Sequence, residues 1–325
     1  MADIKVYNTY SKYLQYKYGE RVYKLPISLP LTCPNRDGCI STGGCIFCGE
    51  EGGSFENLPN SFGVKEQLNK NKEYITNKYK VNKFIAYFQN FSNTYLPLDE
   101  FKTYIEESII QDVVGISIST RPDCISDKYL EYLKKIEIEK GIDIIFELGL
   151  QTVNYHSLVK INRGHTLAEF IDAVMRIKKY NFRVCTHIIL NLPWDNKLDV
   201  IENAKIVSAL RVDEIKLHSL YIVEGTCMAE QYKKDEINFI SKDEYIDRVI
   251  TFLEYLDPDI VIQRIIGRAP EENTLFVNWG ESWWKIRDEI ISNMETKGTF
   301  QGKKFNYLNG KALKKFVSIW YNSIN

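Results

Sequence analysis

The chain alternates apolar runs of strand length with segments whose apolar residues recur at helical spacing. Strand candidates are Tyr23–Ser28, Phe84–Gln89, Val113–Ser119, Ile144–Leu150, Arg183–Leu190 and Glu214–Leu220. Several are near-continuous and rich in Ile and Val, the pattern of parallel strands covered on both faces. The intervening segments carry helix boundary signals. Thr166-Leu-Ala-Glu169 reads as a capping box ahead of Leu167, Phe170, Ile171, Val174 and Ile177 on one face. Ser241-Lys-Asp-Glu244 opens a second such helix, with Pro258 just past its end. Ser126 is placed to cap a third, which carries Leu130, Leu133 and Ile136 inward.

Strand-then-helix units in this order predict a parallel α/β architecture, open or closed into a barrel. A further strand over Ile260–Ile265 and a basic C-terminal region read as an extension, with no Gly- or Pro-rich linker before them. Neither a short-period repeat nor a low-complexity tract is visible.

The 325 residues suit two average domains or one large α/β barrel. A formal charge of −1 gives no global basic excess, so charge alone names no partner. Locally, Lys285, Arg287, Lys297, Lys303, Lys304, Lys311, Lys314 and Lys315 crowd the C-terminal stretch, and a second lysine run spans 65–83. Each run reads either as a solvated helix face or as a phosphate-contacting surface. No apolar stretch approaches the length needed to cross a bilayer, and no secretory leader is visible, so a cytoplasmic protein without membrane contact is expected. In a reducing compartment the seven cysteines are expected as ligands or core fillers, not disulfides.

Three of them define the chemistry. Cys33, Cys45 and Cys48 lie in the glycine-rich stretch TCPNRDGCISTGGCIFCGEEGG, directly after the first strand. Three thiolates are one ligand short of a closed tetrahedral site, so a metal centre built from them keeps an open position. Polar residues collect at the other strand ends: Gln89, Asn90, Asn93 and Thr94 after the second, Ser119, Thr120 and Arg121 after the third, Gln151 and Thr152 after the fourth. His187 and Asn191 lie at and beyond the fifth. Ligands of parallel α/β folds bind at the carboxyl ends of strands. A structural zinc site using Cys39 as fourth ligand is one alternative, although Cys33-x5-Cys39-x5-Cys45-x2-Cys48 lacks two close pairs. Thiol redox chemistry of the Cys45/Cys48 pair is another. Three thiolates holding three irons of a [4Fe–4S] cluster fit the spacing better.

The segment from Cys33-Pro-Asn-Arg-Asp-Gly38 through Gly43-Gly-Cys-Ile-Phe-Cys48 resembles the cluster loop of radical S-adenosylmethionine (SAM) enzymes, specifically the YtqA/YhcC group. The likeness covers roughly residues 5 to 270. It continues in Tyr87-Phe-Gln-Asn-Phe-Ser-Asn-Thr-Tyr95, Thr120-Arg-Pro-Asp123, Glu147-Leu-Gly-Leu-Gln-Thr152, Asn162-Arg-Gly-His-Thr166, His187-Ile-Ile-Leu-Asn-Leu-Pro193 and Glu224-Gly-Thr226. Several of these are similar to the elongator catalytic subunit and to oxygen-independent coproporphyrinogen oxidase. The resemblance implies an α/β fold, a partial (β/α)6 barrel over 1–220 with the cluster loop at about 30–60, and a C-terminal α/β extension over 221–325 that is a possible tRNA-binding region.

It implies two cofactors, a [4Fe–4S] cluster on Cys33, Cys45 and Cys48 and S-adenosyl-L-methionine on its open iron, with Cys39 outside the ligand set. SAM cleavage would give a 5′-deoxyadenosyl radical that abstracts a substrate hydrogen. By the same resemblance Gln151 and Arg163 contact the ribose and methionyl carboxylate, His187 is a further SAM contact, and the backbone around Phe47 approaches the adenine. Ser119 stands where some relatives carry a ribose-binding glutamate. Each has a plainer reading: a strand cap for Gln151, a surface ion pair for Arg163, a core histidine for His187.

The implied substrate is tRNA, at the step from 5-carboxymethylaminomethyl-(2-thio)uridine to 5-aminomethyl-(2-thio)uridine, with a partner methylase acting on the product. The implied electron donor is a flavodoxin or ferredoxin. Phe305, Tyr307, Phe316 and Trp320, interleaved with C-terminal lysines, are compatible with RNA contact. The alternatives are a small-molecule radical SAM enzyme of the coproporphyrinogen-oxidase type and a zinc-stabilised, non-catalytic RNA-binding module.

Overall fold

The computed structural model describes residues 6–50, 52, 57–270 and 272–313. Helix α1 (Tyr10–Tyr18) precedes β1 (Val22–Ile27), and α2 (Val64–Tyr79) leads into β2 (Lys83–Phe88). Then follow α3 (Leu98–Glu107), β3 (Val113–Thr120), α4 (Asp127–Lys140) and β4 (Asp143–Gln151). After β4 come α5 (Tyr155–Lys160), α6 (Leu167–Lys179), β5 (Arg183–Ile189), α7 (Lys197–Ala209) and β6 (Glu214–His218). The rest comprises β7 (Ile222–Val223), α8 (Cys227–Lys233), α9 (Lys242–Tyr255), β8 (Val261–Arg264), β9 (Thr274–Phe276) and α10 (Trp283–Thr296).

The main sheet runs β1-β2-β3-β4-β5-β6-β8 with every neighbouring pair parallel. Strands laid side by side in chain order, joined by right-handed crossovers, put the crossover helices on one face and curl the sheet into a half-barrel. The seventh strand, β8, comes from the segment the sequence assigned to the extension, so that segment is continuous with the barrel.

The strands are covered on both faces, as expected, and the two faces differ in chemistry. Phe84, Ala86 and Phe88, Ile116 and Ile118, Ile144, Phe146 and Leu148, Val184 and Ile188, and Ile215 and Leu217 are buried in the main core. The helices meet them with Leu68, Phe101, Leu130, Phe170, Val174, Val207 and Phe252. The alternate positions carry Lys24, Tyr87, Ser117, Glu147, His187 and Lys216, which bond to one another inside the half-barrel.

The capping signals hold in part. Thr166 forms the expected reciprocal capping box and Asn196 forms another. At Ser241 the hydroxyl accepts from the Glu244 N–H at 3.2 Å, without the reciprocal bond that would make it a capping box. Ser126 occupies an N-cap position but its side chain makes no capping bond. Helix α1 closes the amino-terminal end of the barrel: Leu14 packs with Val22 and Ile85, and Lys17 pairs with Asp143 at 2.6 Å. Of the C-terminal residues singled out in the sequence, Lys314, Lys315, Phe316 and Trp320 lie outside the described residues.

Candidate metal and cofactor site

The carboxyl ends of the strands open into a cavity of about 2250 Å³, lined by Cys33, Cys45 and Cys48 and by Phe47, Ser119, Gln151, Arg163 and His187. All eight residues expected to form the site therefore face one space. Cys39 is exposed, and its N–H donates to the Asp37 carboxylate at 3.1 Å within the loop. Cys45 is buried, and Cys33 and Cys48 are half-buried. Burial pushes the Cys48 thiol up to about 11, and the neighbouring thiols of Cys45 and Cys33 add to it while Arg36 opposes.

Three donors point at the sulfurs. Arg163 Nη1 lies 3.4 Å from Cys45 Sγ, Asn35 Nδ2 lies 3.8 Å from the same sulfur, and Ser92 Oγ lies 3.8 Å from Cys33 Sγ. Donors of this kind stabilise thiolate and tune a cluster's potential. Among the described residues, the set of potential ligands drawn within 4.8 Å of one another is Glu147, Cys185 and His187, and the three loop cysteines are not so drawn. Ligand sulfurs on one tetrahedral zinc would lie about 3.8 Å apart. The wider spread, the donors and the open side toward the cavity fit a multi-iron cluster with one iron left for another ligand.

The loop is held by the β4–α6 connection. Ile46 N–H donates to the Ile161 carbonyl at 3.1 Å, Asn162 Nδ2 to the Gly44 carbonyl at 2.8 Å, and Asn35 Nδ2 to the Asn162 carbonyl at 2.5 Å. Arg163 is fixed from behind by the Gly149 carbonyl, which accepts from Nη2 at 2.7 Å. The absence of a side chain at Gly149 lets Arg163 and Gln151 come this close, since a Cβ there would stand 2.6 Å from Arg163 Nη2 and 2.9 Å from Gln151 Nε2. Gln151 has a φ of +75° beside an irregularity in the β4–β5 register, a conformation rare for a residue with a side chain. That turn places Gln151 at the cavity edge. Arg121 completes the support, gripping Asp123 through Nε at 2.8 Å and Nη2 at 2.6 Å and donating to the Arg163 carbonyl at 2.8 Å.

The floor of the cavity is organised on Glu147, which is 1 % exposed. Its carboxylate accepts from Tyr87 at 2.9 Å, Ser117 at 2.9 Å, His187 Nε2 at 2.7 Å and Lys216 at 3.0 Å, and also from Lys24. Burial pushes the Glu147 carboxyl up, but Lys216, Lys24 and His187 outweigh it and hold it well below the usual range. Burial pulls His187 down to about 4 against the opposing effect of Glu147, so its ring is neutral at pH 7. Ser119 belongs to the same network, its hydroxyl donating to Tyr87 at 3.2 Å. His187 is thus both a cavity residue and a partner of the buried carboxylate.

Glu147, Lys24, Tyr87, Lys216 and Arg264 were not selected from the sequence. Their signal was present: Lys24, Glu147 and Lys216 are single charges within otherwise apolar strands, which marks a polar face. Of the two basic surfaces suspected from the sequence, only Arg287 of the C-terminal run lines the cavity among the described residues. Lys65, Lys70, Lys72 and Lys78 lie on α2, and among the C-terminal lysines Lys304 pairs with Glu254 while Lys303 bonds the Gly298 carbonyl at 2.9 Å.

Comparison with known proteins matches residues 36–207 to the radical SAM superfamily and residues 212–296 to the radical SAM C-terminal domain. The chain is 36% identical over 305 residues to the uncharacterized protein YtqA of Bacillus subtilis, covering 94% of each. It is 26% identical over 161 residues to a tRNA uridine(34) acetyltransferase of Methanocaldococcus jannaschii, covering 47% of this chain and 28% of that one. Among solved structures, the archaeal Elp3 of Methanocaldococcus infernus superposes with a TM-score of 0.67 at 18% identity, over 86% of this chain and 64% of that chain. That likeness concerns the fold. No helix among the described residues is long and apolar enough to cross a membrane.

Proposed function

The chain belongs to the radical SAM superfamily, whose cofactors are a [4Fe–4S] cluster and SAM, and we propose that it acts on the wobble uridine of tRNA. The reaction we assign converts 5-carboxymethylaminomethyl-(2-thio)uridine to the 5-aminomethyl form, which a methylase then finishes. SAM would be the two-electron oxidant of the carboxymethyl methylene, and water would split the resulting imine to release glyoxylate. A flavodoxin or ferredoxin is the proposed reductant. Cys33, Cys45 and Cys48 would hold the cluster, which would supply the one-electron chemistry for cleaving the sulfonium bond of SAM.

The observation carrying this reading is one cavity that joins the three thiols to a charged floor and to a rim where Trp283 stands beside Arg268 and Arg287. Its volume of about 2250 Å³ exceeds the roughly 300–1,000 Å³ of ordinary small-ligand pockets, leaving room for SAM and a nucleotide together. Arg163, fixed by Gly149 and beside Cys45, suits the methionyl carboxylate through its fork. Gln151 faces the same space for the ribose, and Phe47, packed against the buried cluster that contains Leu158, Ile161 and Leu192, offers an apolar wall for the adenine. The Glu147 network holds its side chains in fixed orientations, so that a substrate arm meets preset donors in place of mobile water.

Around the carboxyl-end mouth of the cavity, Arg36, Arg268 and Arg287 stand beside Glu50, Glu224 and Glu272, while Lys12 and Arg21 belong to the amino-terminal end. Trp283 lies between Arg268 and Arg287, 5.1 and 5.3 Å from the two guanidiniums. Cations beside an aromatic face suit an unstacked anticodon base and its phosphates. The relative named as a tRNA uridine(34) acetyltransferase supports the same nucleotide position. Deleting the gene and profiling tRNA nucleosides by mass spectrometry tests the reading: carboxymethylaminomethyluridine should accumulate and downstream forms disappear. An unchanged wobble-uridine profile would reject it.

A further inference from the structure

Arg264, the last residue of β8, projects into the cavity without a carboxylate partner among the described residues. Three other enclosed guanidiniums are matched: Arg121 by Asp123 at 2.6 Å, Arg183 by Glu214 at 2.9 Å, and Arg248 by Glu244 at 2.7 Å. A fourth, Arg163, lies against the Cys45 sulfur. Arg264 Nη2 donates instead to His218 Nδ1 at 2.7 Å, which requires that nitrogen to be unprotonated. Burial, with Arg264 itself and His187 nearby, holds His218 well below its ordinary value, so the ring contributes no negative charge. Arg264 Nε is enclosed and has no hydrogen-bond partner among the described residues.

The neighbours do not supply the missing anion. Lys24 and Lys216 share the single carboxylate of Glu147, and Lys216 also donates to the Tyr87 hydroxyl at 2.8 Å. His187 stacks against His218 at 5.0 Å and is neutral. Among the described residues, three cations, Lys24, Lys216 and Arg264, therefore face one carboxylate in this part of the cavity. An enclosed guanidinium donor left unsatisfied is costly, and a bound anion removes that cost. Tyr221 lines the same cavity and feels both the Cys48 thiol and the Arg264 guanidinium.

We propose that Arg264, backed by Lys216, is the specificity residue that binds a carboxylate at the end of the substrate's reacting arm. This rests on the wobble-uridine reading, in which the carboxymethylaminomethyl arm ends in one carboxylate. The planar fork of a guanidinium takes a carboxylate through two parallel hydrogen bonds. With its carboxylate anchored at Arg264, the arm's carbon atoms lie between that anchor and the SAM side of the cavity. Phosphate shares the oxyanion chemistry, and so does the carboxylate of SAM itself.

The test uses the anaerobically reconstituted protein with its cluster and SAM, titrated calorimetrically with N-methylglycine, methylamine and inorganic phosphate. N-methylglycine reproduces the end of the arm and methylamine lacks its carboxymethyl group. N-methylglycine should bind most tightly, and Arg264→Gln should weaken it about 10- to 100-fold, the range for a charged hydrogen bond. Arg264→Lys, which keeps the charge without the fork, should fall between. Iron content and SAM affinity report whether each variant is correctly loaded. The proposal is overturned if phosphate binds better than N-methylglycine, if N-methylglycine does not bind, if Arg264→Gln binds it normally, or if SAM affinity is what the variant loses. With tRNA carrying the carboxymethylaminomethyl arm, Arg264→Gln should raise KM far more than it lowers kcat. Arginine-dependent N-methylglycine binding without any tRNA conversion would support the anion site and reject the wobble-uridine reading.

Discussion

Arg163 Nη1 stands 3.4 Å from Cys45 Sγ while its Nη2 donates to the Gly149 carbonyl at 2.7 Å. One guanidinium thus joins the cysteine loop to the end of β4, and its position depends on a glycine two residues before Gln151. Arg163→Ala should leave iron content intact and weaken SAM binding about 10- to 100-fold, as expected when a charged hydrogen bond is removed. The cluster's midpoint potential should also fall, because a donor to sulfur is gone. Equilibrium dialysis with SAM and anaerobic redox titration measure the two effects separately. Normal SAM affinity would show that Arg163 serves the loop alone.

The ligand set is tested by iron analysis. Cys33→Ala, Cys45→Ala and Cys48→Ala should each lose the cluster and all SAM cleavage. Cys39→Ala should keep both, since Cys39 is exposed and its backbone is held by Asp37. Iron loss in the Cys39 variant would overturn the assignment.

Gly164 has a φ of +79°, and a Cβ there would stand 2.3 Å from Asn35 Oδ1 and 3.2 Å from Arg121 Nη2. Gly164→Ala should therefore cost roughly 1–3 kcal/mol through backbone strain alone, and the displaced Asn35 should loosen the cysteine loop. A lowered Tm together with reduced iron retention is the expected result. A drop in Tm with full iron retention would confine Gly164 to a backbone role.

Stability should fall with acid in two stages. His187 has a folded value of about 4 against an ordinary 6.5, so the unfolded chain takes up its proton first and stability declines as pH drops from 6.5 toward 4. Glu147 is depressed, so its contribution is complete above the ordinary value of 4.5 and is lost as pH falls through its lower folded value. Chemical denaturation at pH 7.5, 5.5 and 4 checks this. Glu147→Ala leaves Lys24 and Lys216 unpaired and should cost about 3–5 kcal/mol at neutral pH. A midpoint independent of pH over this interval would contradict the assigned protonation states.

Neutralising Arg268 and Arg287 together should weaken tRNA binding and make it less sensitive to salt. The slope should shrink by about 0.7–0.9 log unit per log unit for each phosphate that the rim no longer neutralises. Iron content should be unchanged. Equal salt slopes in variant and wild type would move the tRNA interface away from this rim.

The sequence by itself determined the six strands β1 to β6 within a residue or two, because each is a compact apolar run and helical periodicity fills the intervals. It also determined the cysteine loop, since the spacing of Cys33, Cys45 and Cys48 is local. What it could not determine was which charged residues meet. Glu147, Lys24, Lys216 and Arg264 come from four separate strands, and only the register of a parallel sheet brings their side chains onto one concave face. The strand over Ile260–Ile265 was also legible and appears as β8 (Val261–Arg264), but its place beside β6 was a tertiary outcome, because it rests on pairing with a distant edge. Local chemistry was legible in the chain; the balance of charge inside the barrel was fixed by folding.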